Sequence, residues 1–90
     1  MTSEAIEQIW LARERLKAKT ASRNELVNAA ICHAITLKWW TGHNLSTAEK
    51  FWPFKPRFKP SITELESLAD AAAYLCAAIE RILEEEGGAQ

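Results

Sequence analysis

Glycine is scarce in this chain and stands only at positions 42, 87 and 88. That excludes the glycine-rich loops that cradle phosphates, and no nucleophile motif appears either, so a catalytic role is not expected. Cysteine is rarer still: Cys32 and Cys76 are too few for a disulfide-framed secreted domain. Each lies among apolar neighbours in a helical pattern, where a free thiol behaves as a small hydrophobe. A long apolar run is also missing, since the longest, Ala71 to Ile79, is about half of what a membrane-spanning helix needs. No basic stretch followed by an apolar one opens the chain, where Glu4 and Glu7 stand instead. The expected location is therefore the cytoplasm. Alternating strand patterns, hairpin turn pairs and internal repeats are absent as well, which leaves an all-α reading.

What is present fits a single domain over residues 1–90, with 48% hydrophobic and 26% charged residues. A chain of this length buries only about 60% of its unfolded surface when it folds alone, so self-association is expected to help it. The net charge of −1 conceals an asymmetry. Residues 1–60 carry ten Lys/Arg against five acids, or +5, while residues 61–90 carry Arg81 against seven acids, or −6. Either the two halves neutralise each other, or a basic face awaits an anionic partner.

The spacing predicts three helices in a small bundle. Ser22-x-x-Glu25, Ser46-x-x-Glu49 and Ser61-x-x-Glu64 are capping-box patterns that mark helix starts. A first helix over about Glu4 to Lys19 carries Ala5, Ile6, Ile9, Trp10, Ala12 and Leu16 on one stripe, interrupted by Arg13. Such an arginine either pairs with a glutamate of a neighbouring helix or faces a ligand. A second, from about Arg23 to Trp40, is apolar around much of its circumference and should be central or in an interface. His33 lies on it and reads as a hydrogen-bonded core residue. The third, from Ile62 to about Glu86, keeps Leu65, Leu68, Ala72, Leu75, Ile79 and Ile82 in a strict heptad, with Ala69, Cys76 and Leu83 beside it. That stripe is expected to face the core. Ala73, Tyr74 and Ala77 would then lie outside, as a small-residue patch for a symmetric contact between copies.

Between Thr41 and Pro60 the pattern changes. Prolines 53, 56 and 60 rule out one continuous helix, so a long crossover is expected, with at most a short helical turn after Ser46. Phe51, Trp52, Phe54 and Phe58 interleave with Lys50, Lys55, Arg57 and Lys59. The aromatics read as lids on the core, as recognition groups, or as both, with some rings inward and the basic residues outward. Together with Trp39, Trp40 and His43 these residues form the candidate partner-binding set. Arg13, Lys17, Lys19, Ser22 and Arg23 form a candidate anion-binding cluster near the start of the second helix.

Cys32, His33, His43 and Cys76 match no zinc spacing, and no metal or cofactor is expected. The reading that results is a non-catalytic, partner-binding protein, an adaptor or inhibitor of a larger macromolecule, working as a homodimer or higher homo-oligomer. Its alternative is a nucleic-acid or nucleotide binder that uses the aromatic and basic segment.

Overall fold

The computed structural model describes residues 2–16, 21–36, 41–55 and 57–88, with the backbone alone at 41–43 and 88. Among these residues the chain is all-α, with four helices rather than the expected three: α1 (Ser3–Leu16), α2 (Arg23–Ile35), α3 (Thr41–Phe51) and α4 (Glu64–Gly88). The extra helix is α3. It occupies the first half of the supposed crossover and ends just ahead of Pro53, where the ring removes a backbone donor and bars further helix. Ser46 therefore sits inside a helix and does not start one.

The other caps divide in the same instructive way. Ser22 caps α2 as expected, its hydroxyl accepting from the Glu25 amide at 3.2 Å while the Glu25 carboxylate accepts from the Ser22 amide at 2.9 Å. At α4 the capping side chain is Thr63, whose hydroxyl accepts from the Glu66 amide at 3.1 Å. Glu66 reaches back to the Ile62 amide at 3.3 Å. Ser61, two residues too early, turns inward instead. At α1, Thr2 accepts from the Ala5 amide at 3.1 Å, satisfying a first-turn donor that no capping-box pattern had marked.

In space the helices pack in the order α1, α4, α2, α3, each against the next. The row is thin, with principal extents of 46 × 32 × 18 Å. Packing along it rests on small residues. Among the described residues the buried apolar side chains are alanines except for Leu26, Cys32, Tyr74 and Phe58. Ala12 of α1 meets Ala69 and Ala73 of α4. Leu26, Ala29 and Ala30 of α2 meet Tyr74, Ala77 and Ala78. On the far side of α2, Cys32 packs with Ala48 of α3 and with Phe58.

This packing inverts the expected orientation of α4. Ala73, Tyr74 and Ala77, read as an outer patch, are 1%, 5% and 4% exposed and form the seam with α1 and α2. Alanine lets two helix backbones approach closely, so the small side went inward. Most of the heptad stripe went outward: Leu65, Leu68, Leu75 and Ile79, with Leu83 beside them, are each between 46% and 60% exposed, while Ala72 and Ile82 are half-buried. Ile6, Trp10 and Leu11 of α1 and Val27 and Ile31 of α2 are exposed as well. Among the described residues, no helix is long and apolar enough to cross a membrane.

Candidate functional site

Trp52, Phe54 and Lys55, together with Arg57 and Lys59 to Ile62, border a cleft of about 830 Å³ with residues of α1, α2 and α4. Its wall is aromatic. Trp52 meets Phe54 edge-on at 5.4 Å between ring centroids, and Phe54 stacks on Tyr74 at 6.0 Å. Phe58 is buried and packs on Trp52 at 4.9 Å. These rings act as lids, because each covers the alanine seam between α2 and α4 or the seam between α2 and α3. Lys50, Phe51, Lys55, Arg57 and Lys59 stay exposed.

At the base of the wall lies a polar chain. His33 is 5% exposed, stacked on Tyr74 at 5.7 Å and edge-on to Phe58 at 5.2 Å and to Trp52 at 5.5 Å. Its Nδ1 is 3.2 Å from the Ser61 hydroxyl, which donates to Asp70 Oδ2 at 2.7 Å. Since the serine proton goes to the carboxylate, the arrangement calls for His33 to carry its proton on Nδ1 and donate to Ser61. The Arg15 guanidinium donates to the other Asp70 oxygen. Burial pushes the His33 pKa below its ordinary 6.5; nearby Asp70 offsets this in part, and Arg15 adds to it. Burial likewise pushes Tyr74 up to about 12, reinforced by the negative charge of Asp70 and opposed by Arg15.

Serine, histidine and aspartate meet here without the geometry of a nucleophile. A triad needs histidine between the other two, taking the serine proton. Here serine is the middle member and gives its proton to aspartate, so the hydroxyl is held and not activated. Cys32 is also subdued, because burial raises its thiol pKa and the sulfur donates to the Ala48 carbonyl at 3.4 Å. Among the described residues, no three His, Cys, Asp or Glu side chains come together as a metal site.

Of the expected site residues, Trp52, Phe54, Lys55, Arg57 and Lys59 converge on the cleft. The described members of the expected anion cluster are engaged within the chain. Arg13 donates through Nε and Nη2 to Glu80 at 2.9 and 2.5 Å, Arg23 pairs with Glu85 at 3.5 Å, and Ser22 caps α2. Lys17, Lys19, Trp39 and Trp40 lie outside the described residues, as does the side chain of His43. Sequence reasoning missed Arg15, Ser61, Glu66 and Asp70. Asp70 carried the usable signal: it stands one turn before Tyr74, against the alanine run, where a charge needs a partner if that face turns inward.

Compared with protein-family models, curated proteins and solved structures, the chain matches none.

Proposed function

We propose that this is a non-catalytic binding protein, an adaptor or inhibitor of a larger macromolecule, that works as a homo-oligomer. The reading is carried by the outward-facing heptad stripe of α4. A seven-residue repeat of large aliphatics fits the knobs-into-holes packing of a second helix of like spacing. A second copy supplies one. The positions flanking the middle of the stripe are Ala69, Ala71, Cys76 and Ala78, so two such helices can close together without burying a charge. Covering the remaining exposed part of a Leu or Ile is worth on the order of 1 kcal/mol. Summed over five side chains on each of two copies, this is on the order of 10 kcal/mol, within the range that association costs. The free thiols of Cys32 and Cys76 suit a reducing compartment, and the proposal places the protein in the cytoplasm.

Light scattering on the eluting peak of a size-exclusion column tests this. The mass should be at least about twice 10.1 kDa. Leu75→Lys with Ile79→Lys should give a monomer of undiminished helical circular dichroism. A wild-type monomer at high micromolar concentration would remove the homo-oligomer from the proposal.

A second reading, nucleotide or nucleic-acid binding, is favoured by a separate observation. Lys55 and Lys59 line the aromatic cleft and form no ion pair with the described residues.

A further inference from the structure

The cleft and the heptad stripe lie on opposite sides of α4. Successive helical residues turn by about 100°, which places Asp70 well over a right angle from Leu68, Leu75 and Ile79. A ligand in the cleft and a partner on the stripe therefore do not compete.

Charge in the cleft is unevenly compensated. Every acid lining it is engaged: Asp70 by Arg15 and Ser61, Glu25 by the Ser22 amide, and Glu66 by the Ile62 amide. Two of its cations are engaged as well, Arg15 by Asp70 and Arg57 by Glu49 at 3.1 Å. Lys55 and Lys59 remain, both exposed and without an ion pair among the described residues, while Glu25 and Glu66 keep their charges beside the amides that donate to them.

Two further donors belong to residues that line the same space. Neither the Tyr74 hydroxyl nor the Trp52 indole N–H makes a hydrogen bond with the described residues, although both side chains line the cleft. Among the described residues no fully buried side-chain polar atom lacks a partner, so both of these donors keep some exposure. They are set in the wall formed by Trp52, Phe54 and Tyr74. The volume of about 830 Å³ lies within the usual range of small-molecule sites, and an apolar wall with a few convergent polar groups is their usual lining.

We propose that this cleft binds a small anion with a flat aromatic body, a chemistry shared by nucleoside monophosphates and aromatic carboxylates. The anionic group meets Lys55 and Lys59, the ring lies along the Trp52–Phe54–Tyr74 wall, and the phenol and indole donors serve acceptors on the ligand. The site rests on the second reading above and is independent of association through α4.

The test is a titration of the isotope-labelled full chain followed by nuclear magnetic resonance at the Trp52 indole N–H and at Tyr74. The probes are adenosine monophosphate, indole-3-acetate, inorganic phosphate for charge alone and indole for the ring alone. Saturable shifts at both residues with either organic anion, exceeding those with phosphate or indole, support the site. Saturation by one of the two assigns the source of the shared chemistry. Lys55→Ala with Lys59→Ala should weaken binding by about tenfold or more without moving the melting temperature, since exposed lysines add little to stability. Tyr74→Phe keeps the ring and removes the donor, and should weaken binding by about fivefold. Equal binding of phosphate alone, full affinity in the double lysine variant, or no saturation by either organic anion at millimolar concentration would overturn the proposal. Light scattering on the same samples reports association through α4 separately, so failure of the cleft is not failure of the oligomer.

Discussion

His33 shows how one buried imidazole makes stability depend on pH. Its pKa is lowered on folding because burial disfavours the charged ring. Above about pH 6.5 the ring is neutral in both folded and unfolded chains, and its contribution is complete. As pH falls through that value, the unfolded chain takes up the proton first, so stability declines until the lower folded pKa is reached. Urea midpoints at about pH 7.5 and 5.5 should therefore differ more for the wild type than for His33→Gln. An equal pH response in the two would show that His33 does not titrate differently on folding. Asp70 is the more demanding neighbour, since it holds Ser61 and Arg15 at once. Asp70→Ala should cost about 2 to 3 kcal/mol, measured as a loss of urea stability, because the half-buried Ser61 hydroxyl, and through it the buried imidazole, loses the acceptor that orders it. The role of His33 as a hydrogen-bonded core residue was legible from its place on an apolar helix. Its partners were not, because Ser61 looked like a helix cap and Asp70 like a solvated charge until Thr63 and the inward face of α4 had been located.

Helix α4 carries two apolar faces, and the sequence announces the louder one. A heptad of leucine and isoleucine is easy to read, but periodicity gives a stripe without saying which neighbour covers it. Within the chain, α1 and α2 dock on the alanine side, where close backbone approach and the single large ring of Tyr74 fill the seam. The two faces should therefore respond in opposite ways to substitution. Ala73→Leu forces extra volume into the contact with Ala12 and should cost about 1 to 3 kcal/mol of unfolding free energy. Leu75→Ala should leave the thermal stability of dissociated protein nearly unchanged while weakening association, read by light scattering on dilution. Were Leu75→Ala to destabilise the isolated chain by as much as Ala73→Leu, the assignment of the two faces would be wrong. The all-α class and the start of α2 could be read in advance. The existence of α3 could not, since Pro53 drew attention to the break and away from the helix that precedes it.

At the scale of the whole molecule, the basic first part of the chain does lean on the acidic last part, through Arg13–Glu80, Arg15–Asp70 and Arg23–Glu85. What remains unneutralised is distributed unevenly. Glu64 and Glu86 stand at the two ends of the heptad stripe, so pairing two copies of α4, in either relative direction, brings acid toward acid. Added salt screens such repulsion. The dimer should therefore tighten as salt is raised from low ionic strength, seen as a larger fraction of dimer at fixed protein concentration in sedimentation equilibrium. Weakening with salt would mean that opposite charges meet across the interface and that another surface is used. The alanine-lined core carries a calorimetric consequence as well. Methyl groups withdraw little apolar area from water, so in the proposed oligomer a large share of the heat-capacity increment of unfolding would belong to the surface covered on association. Scans of concentrated protein should show a sharp endotherm that shifts to higher temperature with concentration. Dilute, dissociated protein should give a broader and shallower one, because the small side chains of the core withdraw little apolar area from water.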